Sequence, residues 1–258
     1  MKELVSIIMP TYNCGRFIRE SIGSVLAQTY QEWELIIVDD LSTDDTDAIV
    51  RSYEDKRIRY MRNESNMGAA LTRNRALCAA KGRYIAFLDA DDIWTPDKLE
   101  KQIAFMQANN YTFTYHEYTE MDENSQPLGI HVSGKKHIRL LDMMSCCWPG
   151  CLTVVYDRTK IGLIQIPNIL KNNDSAMWIQ AIRKADCYLL PQTMAQYRRR
   201  IGSITPTTVL KKIGWHYILF RDGVKMNPVA SAFWMCMNIF GNGYKKLFYV
   251  KRYKVQKK

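Results

Sequence analysis

The chain has 258 residues, 47% of them hydrophobic and 24% charged, a globular composition with enough length for one α/β domain and an appendage. Its seven cysteines form no Cys-x-x-Cys pair and have no histidine at zinc-ligand spacing, which argues against a disulfide framework and a zinc site. The whole net charge of +10 lies in residues 209–258, so we expect this tail to meet an anionic surface.

Strands and helices alternate through the first 110 residues. Apolar runs predict strands at residues 4–9, 34–39, 57–61 and 84–88. Apolar spacing and cap residues predict helices at residues 17–28, 45–53, 68–80 and 98–108. This order indicates an α/β fold with a mostly parallel, doubly wound sheet. Right-handed crossovers would bring Thr11, Asp40 and Asp91 to one edge of that sheet, the usual place of a nucleotide crevice.

The pattern changes after residue 110. Predicted strands cover residues 111–121, 151–156, 187–190 and 194–198. A turn at 122–127 and a polar loop at 131–136 separate the first two, and a helix covers 174–184. We interpret this half as the side that receives the acceptor.

Three carboxylates within four residues end the fourth predicted strand: Asp89, Asp91 and Asp92. Like charges at one strand end repel each other, and a divalent cation would turn that repulsion into attraction. Mg²⁺ binds through one or two carboxylates together with substrate phosphates, so this tip predicts a metal-diphosphate site. The alternative is an acidic turn before a helix cap, because Thr95-Pro96-Asp97 follows.

The common phosphate-binding loops are absent from the sequence. No Gly-x-Gly-x-x-Gly follows the first strand, and no Gly-x-x-x-x-Gly-Lys-Ser/Thr occurs. These absences argue against a dinucleotide enzyme and a P-loop ATPase, and a nucleotide bound here would have its phosphates held mainly by metal.

Five motifs occur in a fixed order: VSIIMPTYN (5–13), VDDLSTD (38–44), NMGAALTRN (66–74), FLDADD (87–92) and NDSAMW (173–178). Together they resemble the large second family of inverting glycosyltransferases, which has the GT-A fold. The resemblance covers roughly residues 3–205. Each motif is weak by itself, whereas the ordered set is specific.

The resemblance implies a role for each matching residue. The donor nucleotide sugar would be held by Pro10, Thr11, Tyr12, Asp40, Arg73, Asp89 and Ala90. Asp91 would ligate Mg²⁺ or Mn²⁺ at the diphosphate, and Asp92 would contact the sugar or the metal shell. Asp174 matches the family's catalytic base. In a single displacement, base and metal lie on opposite sides of the sugar, so they should come from different chain regions, as these two do.

The sequence departs from the family pattern at two places. Asn173 stands before the base where many relatives have Glu, which removes a neighbouring acid. Arg200 and Ile201 stand where a His often follows the arginines. Arg199 and Arg200 are candidate phosphate contacts, and which of residues 198–200 serves stays open.

Structural interpretations compete with several of these roles. Asp39 and Asp44 have a helix-capping alternative, Arg73 a surface ion pair, and Asp174 an ordinary helix-start position. Trp178 is predicted to pack in the core. Trp148, beside Pro149-Gly150, is a candidate acceptor contact with packing as its alternative.

The tail predicts a helix at 207–225, a break at Asn227-Pro228, and a charge-free segment at 229–240 that Gly241-Asn-Gly243 would end. Twelve residues cannot span a bilayer, but an apolar helix with a basic flank suits its surface. Residues 229–258 are therefore predicted to attach to an anionic membrane. The alternative is a helical hairpin that packs on the domain or on a second subunit in a homodimer.

The sequence predicts a metal-dependent inverting glycosyltransferase that moves a hexose or N-acetylhexosamine from a nucleotide sugar, a UDP-sugar first, to a lipid-linked saccharide of a surface polysaccharide. Its predicted parts are residues 1–206, with a donor half at 1–110 and an acceptor half at 111–206, and the extension 207–258. Without a secretory signal or a spanning segment, we expect it at the cytoplasmic face of the membrane. The alternatives are a sugar-1-phosphate nucleotidyltransferase, which would need a Gly-rich basic loop after the first strand, and a basic nucleic-acid-binding protein, which would carry its charge on the folded body.

Overall fold

Four parallel strands form the first half of the sheet. They are β1 (Val5–Thr11), β2 (Trp33–Asp39), β3 (Ile58–Arg62) and β4 (Tyr84–Phe87). Their connecting helices are α1 (Gly15–Leu26), α2 (Thr46–Arg51) and α3 (Ala69–Ala79). The structure, a computed structural model, describes residues 3–200 and 209–255. Within it β1 lies between β4 and β2, and β3 lies outside β2, so the predicted parallel order is confirmed for this half.

Mostly antiparallel strands complete the sheet. The strands are β5 (Ile93–Trp94), β6 (Phe113–Met121), β7 (Pro127–Val132), β8 (His137–Ile138), β9 (Val155–Asp157) and β10 (Cys187–Arg198). The helices are α4 (Lys98–Asn109), α5 (Leu140–Ser145), α6 (Arg158–Ile161) and α7 (Asn173–Ile182). β9 pairs antiparallel with β4 and β6, and β7 pairs antiparallel with β6, whereas β10 runs parallel to β6. The complete sheet is therefore mixed.

Three local predictions in this half were wrong. Part of the predicted loop at 131–136 belongs to β7, because these residues pair with β6. Cys151–Thr153 form a 3₁₀ turn before β9. The two short strands predicted within 187–198 are one strand, β10. Its register shifts between Leu190 and Gln196, around Pro191, which has no N–H to donate.

The tail consists of α8 (Val209–Ile218), a π-helical turn (Leu219–Gly223), α9 (Pro228–Phe248) and β11 (Val250–Arg252). The predicted break at Asn227-Pro228 is confirmed, since the Asn227 side chain accepts from Ala230 N at 2.9 Å and caps α9. The predicted end of the helix at 241–243 was wrong, because α9 continues past these glycines along α5. Residues 207–208 and the predicted boundary at 206 lie outside the described residues. No helix in the described ranges is long and apolar enough to cross a bilayer.

Two hydrophobic cores flank the sheet, because side chains alternate along each strand. Ile7 packs in the core formed with α1, α2 and α4, and Ile8 packs in the core formed with α3, α5 and α7. Trp178 of α7 is fully buried, with its ring 5.2 Å from that of Phe87, as predicted. This packing fixes the start of α7, and with it Asp174, against the same sheet whose β4 carries the three carboxylates.

Candidate active site

The loops after β1, β2 and β4 meet at one edge of the sheet. Asp40 N donates to Thr11 O at 2.9 Å, and Leu88 N donates to Ile8 O at 3.1 Å. Arg200 Nη1 lies 3.7 Å from Cys14 Sγ, which brings the β1 loop to the chain after β10. The expected convergence of Thr11, Asp40 and Asp91 is therefore what the structure shows.

Asp40 organises the wall of the site that leads into α3. Its carboxylate is buried and accepts from Asn63 Nδ2, Met67 N and Gly68 N, each at 2.8 Å. Gly68 has a φ of +84°, which glycine adopts without strain, and it directly precedes α3. The carboxylate thus fixes the backbone of residues 66–68.

The β1 loop offers both an accessible ring and a buried hydroxyl. Tyr12 is 48% exposed at the edge of the site, whereas Pro10 is half-buried. Thr11 Oγ1 is buried and has no hydrogen-bond partner among the described residues. Asp44 accepts from Gly15 N at 2.9 Å and from Thr46 N at 3.0 Å, the first residues of α1 and α2, so it binds the helix starts in the manner of the capping alternative.

The three carboxylates after β4 have different surroundings. Asp89 forms an ion pair with Arg73, which is itself 8% exposed. Asp92 is 1% exposed; its Oδ1 accepts from Arg198 N at 2.9 Å, and its Oδ2 has no partner among the described residues. Asp91 lies between them and faces Arg200, with Ala90 buried beside it.

The pKa values of this acidic cluster reflect burial and mutual repulsion. Burial and the nearby Asp89 raise the pKa of Asp91, and Arg200 opposes that rise. Burial, Asp91 and Asp89 raise the pKa of Asp92 well above its ordinary value. A cation at this tip would lower both pKa values, since it favours the charged carboxylates.

Residues 198–200 point to three different places. Arg198 is buried, with Nε 2.7 Å from Asp91 O and Nη2 2.9 Å from Glu20. It therefore binds the backbone of the turn that carries the carboxylates. Arg200 Nε lies 2.8 Å from Asp91 Oδ2, inside the site. Arg199 forms a bidentate pair with Glu120, at 2.7 and 2.8 Å, on another side of the strand. Of these three arginines, Arg200 is therefore the one whose guanidinium group faces the strand-end carboxylates.

Asp174 lies in the first turn of α7 and is half-buried. One of its oxygens accepts from Ser175 N at 2.8 Å. Its negative charge raises the pKa values of Arg73, Cys147 and Cys151, so it lies near the arginine that pairs with Asp89. Asn173 points elsewhere, with Nδ2 3.4 Å from Ile169 O. The structure therefore brings Asp174 to the strand-end carboxylates from a distant part of the chain.

Cys151 is a site residue that the sequence reading missed. Burial raises its pKa well above the ordinary value, Arg73 opposes this, and Asp89, Asp174 and Asp92 add to it. Its neighbourhood therefore contains the carboxylates of both the strand tip and α7. The only signal in the sequence was the clustering of three cysteines around Trp148-Pro149-Gly150.

Trp148 does not have the surface that an acceptor contact needs. It is 4% exposed, its Nε1 donates to Asp142 O at 3.1 Å, and its ring packs 5.1 Å from Tyr249. The packing alternative describes this residue, because both its edge and its face are used inside the protein.

The oxygen donors fit a metal that binds together with a diphosphate. No group of three or more His, Cys, Asp or Glu side chains within 3–200 and 209–255 forms a complete ion site. Mg²⁺ needs only one or two carboxylates when phosphate oxygens and waters complete its shell. Asp91 and the unpartnered Oδ2 of Asp92 supply hard oxygen atoms where three carboxylates follow β4.

Comparison with known proteins agrees with this arrangement. The model of glycosyl transferase family 2 matches residues 6–149. A Bacillus subtilis glycosyltransferase named for teichuronic acid biosynthesis, TuaG, is 42% identical over 95% of this chain and 98% of its own. The Escherichia coli UDP-Glc:alpha-D-GlcNAc-diphosphoundecaprenol beta-1,3-glucosyltransferase WfgD is 39% identical over 94% of each chain.

Solved structures share the fold. S. aureus TarS 1-349 in complex with UDP-GlcNAc matches 96% of this chain and 74% of its own, with a TM-score of 0.72 and 20% identity. The mannosyltransferase PcManGT of Pyrobaculum calidifontis, in complex with GDP-Man and Mn²⁺, matches 96% of this chain and 74% of its own, with a TM-score of 0.62 and 17% identity. The chain is a glycosyltransferase and belongs to glycosyl transferase family 2.

Proposed function

We propose that this glycosyltransferase moves a hexose or N-acetylhexosamine from a UDP-sugar to a hydroxyl of a lipid-linked saccharide in surface polysaccharide synthesis, with inversion at the anomeric carbon. The observation that carries the proposal is that the charge of Asp174 reaches Arg73, which pairs with Asp89 beside Asp91. The similarity to WfgD and TuaG, whose names state a UDP-Glc donor, a GlcNAc-diphosphoundecaprenol acceptor and teichuronic acid biosynthesis, supports the donor, acceptor and pathway. Membership of the family favours this reaction over nucleotidyl transfer and over nucleic-acid binding.

The donor binds along the sheet edge in this proposal. The Tyr12 ring offers a stacking surface for the uracil, and Thr11 Oγ1 offers a hydroxyl that is otherwise unused. Asp40 shapes the opposite wall through residues 66–68 and contacts the base or ribose there. Pro10 and Ala90 set the backbone on either side, and the Asp89–Arg73 pair faces the sugar.

Arg200 would hold the diphosphate together with a metal ion. Asp91 would ligate Mg²⁺ or Mn²⁺, and Asp92 would lie in the shell of the ion or contact the sugar. When bound, the ion supplies Lewis-acid stabilisation of the charge on the departing diphosphate. Arg200 already faces Asp91 and adds two parallel donors for a phosphate.

Asp174 removes the proton of the acceptor hydroxyl. The hydroxyl oxygen then bonds to the anomeric carbon on the face opposite the diphosphate, and the bond from that carbon to the diphosphate oxygen breaks. Such base catalysis contributes about 10²–10⁴-fold to the rate. The positive charge of Arg73 lies near Asp174, and Asn173 adds no second acid beside it.

The extension anchors the enzyme to the membrane in this proposal. Exposed apolar side chains recur every three or four residues along one face of α9: Val229, Phe233, Met237, Phe240, Tyr244 and Leu247, with Phe248 beside the last of them. Exposed Lys246, Lys251, Arg252 and Lys254 flank the end of this face. An anionic membrane surface would bury the apolar face and attract the basic flank. It is also where a lipid-linked acceptor resides.

The decisive experiment measures transfer from UDP-Glc, UDP-GlcNAc, UDP-Gal and GDP-Man to a GlcNAc-diphosphate-lipid, with Mg²⁺, with Mn²⁺ and with chelator. We expect one UDP-sugar to react, only with metal, to give a product of inverted anomeric configuration by NMR. Asp91→Asn should remove the metal dependence together with the activity. Retention of configuration, or full activity in chelator, would refute the proposed mechanism.

A matched pair of variants tests the base. Asp174→Asn should lower kcat at least about 10²-fold while the Kd of the UDP-sugar stays within a factor of two. Asp186→Asn removes an equal charge from a half-buried position beside His137 and should leave kcat unchanged. Normal transfer by Asp174→Asn would show that another group is the base.

A further inference from the structure

We propose that a basic cleft under α9 binds the diphosphate of the lipid-linked acceptor; this inference rests on the proposed function and assigns the acceptor a second contact. The cleft has a volume of about 510 Å³ and lies between β6, β7, β11 and α9. Its charged lining consists of Arg199, Lys245, Lys246, Arg252 and Glu120. Four cations and one carboxylate give it a net charge of +3.

The charges of this basic cleft are not cancelled within the described chain. Both Glu120 oxygens are taken by Arg199, at 2.7 and 2.8 Å. Lys245 Nζ donates to Cys147 O at 2.9 Å and to Trp148 O at 2.7 Å, which fixes the ammonium group without neutralising it. Lys246 and Arg252 have no carboxylate within salt-bridge distance among residues 3–200 and 209–255. A concave space with this excess charge suits a compact polyanion such as a diphosphate.

The basic cleft adjoins the active site through two residues. The carbonyl oxygen of Cys147 accepts from Lys245, while its thiol lies within the electrostatic reach of Asp174. Tyr118 lines the cleft, and its ring lies 6.2 Å from that of Tyr197, whose hydroxyl feels the charge of Asp92. A sugar attached to a diphosphate in the cleft would therefore extend toward Asp174.

The basic cleft also lies on the proper side of α9. Asn242, Lys245 and Lys246 line it, and by helical periodicity they lie opposite the exposed Phe240, Tyr244 and Leu247. From the exposed apolar face inward come α9 itself, the basic cleft and then the strand-end carboxylates. The proposed acceptor has the same order: its lipid chain would lie in the membrane, its diphosphate in the cleft and its sugar at Asp174.

A matched control loses the same charge at residues outside both the basic cleft and the proposed membrane face. Lys56 and Lys136 are exposed and do not line the cleft. The test compares Lys246→Ala/Arg252→Ala with Lys56→Ala/Lys136→Ala, so that each variant loses two positive charges. Each is assayed in neutral detergent with GlcNAc-diphosphate-farnesyl and with a neutral alkyl N-acetylglucosaminide.

We expect the cleft variant to raise KM for the diphosphate acceptor at least tenfold. Its KM values for the alkyl acceptor and for the UDP-sugar should stay within a factor of two of the wild type. The control variant should leave the KM values for both acceptors and for the UDP-sugar unchanged. An equal rise with both acceptors, or an equal effect of the control, would overturn the proposal. If the double variant misfolds, Lys246→Ala alone serves, since it changes one exposed helical side chain.

A binding measurement separates this inference from the transfer reaction. Wild-type protein should bind farnesyl diphosphate, inorganic pyrophosphate should compete, and farnesol should not bind. The cleft variant should bind at least tenfold more weakly, and the control should match the wild type. Equal binding of farnesol would overturn the proposal that the cleft binds a diphosphate. Diphosphate binding without any sugar transfer would overturn only the proposed reaction.

Discussion

Arg200 Nε lies 2.8 Å from Asp91 Oδ2, while the preceding Arg199 pairs with Glu120 at 2.7 Å. These two adjacent arginines therefore face different sites: Arg200 faces the strand-end carboxylates, and Arg199 lines the basic cleft. In the proposed reaction, these are the places of the donor diphosphate and the acceptor diphosphate. Charge alone does not distinguish the two arginines, but their partners do.

Substituting these arginines one at a time should separate donor binding from acceptor binding. Arg200→Ala should raise KM for the UDP-sugar about 10–100-fold, because a hydrogen bond to a charged group contributes about 1.5–3 kcal/mol. Arg199→Ala should raise KM for the diphosphate acceptor and leave the donor KM unchanged. Initial-rate kinetics with each substrate varied in turn decide this, and identical profiles for both variants would contradict it.

The apolar face of α9 should control membrane attachment. Phe240→Ser/Leu247→Ser removes two side chains that are 75% and 74% exposed, so the fold should be unaffected while flotation with phosphatidylglycerol vesicles falls severalfold. Leu170→Ser, at a position 79% exposed outside α9, is the control and should float like the wild type. Neutral phosphatidylcholine vesicles should bind all three proteins more weakly, because the basic flank then has no partner. Unchanged flotation of the double variant would refute attachment through this face.

Two glycines of α9 should respond to alanine in opposite directions. A Cβ at Gly241 would lie 1.9 Å from Ser145 O, so Gly241→Ala should destabilise the protein by about 1–3 kcal/mol. A Cβ at Gly243 meets nothing within 4 Å, so Gly243→Ala should stabilise it by up to about 1 kcal/mol through helix propensity. Chemical denaturation measures both, and the same sign for the two variants would contradict the close approach of α9 to α5.

His116 should make stability depend on pH. Its ring is 1% exposed, its Nδ1 lies 2.7 Å from Glu117 O, and burial with the nearby Lys98 lowers its pKa to about 3. Below about pH 6.5 the imidazole of His116 binds a proton in the unfolded chain but not in the folded chain. The free energy of unfolding therefore falls as pH drops from 6.5 toward 3.

His116→Asn keeps a donor near Glu117 O and removes this titration. Between pH 7 and pH 5 the variant should lose about 2 kcal/mol less stability than the wild type, at about 1.4 kcal/mol per pH unit below pH 6.5. Urea unfolding at the two pH values checks this. Parallel losses in the two proteins would show that His116 does not carry the effect.

Local patterns along the chain were sufficient for the first half of the fold. β1 to β4 and their helices were predictable because buried parallel strands are continuous apolar runs and amphipathic helices repeat their apolar positions. The same reasoning failed for β7, for Cys151–Thr153 and for the end of α9. These elements depend on distant partners: β7 on β6, and the glycines of α9 on Ser145.

The sequence by itself was enough to predict the residues that are proposed to carry the chemistry, because the acidic strand tip and the motif around Asp174 are contiguous and strongly patterned. It left undecided which of residues 198–200 faces the donor, whether Trp148 is accessible, and where the charge of the tail points. Only the tertiary structure decided these, because the direction of a side chain follows from strand twist, register and the packing of elements far apart in the chain. The basic cleft exists for the same reason, since β10, α9 and β11 bring its cations together from residues 199, 245, 246 and 252.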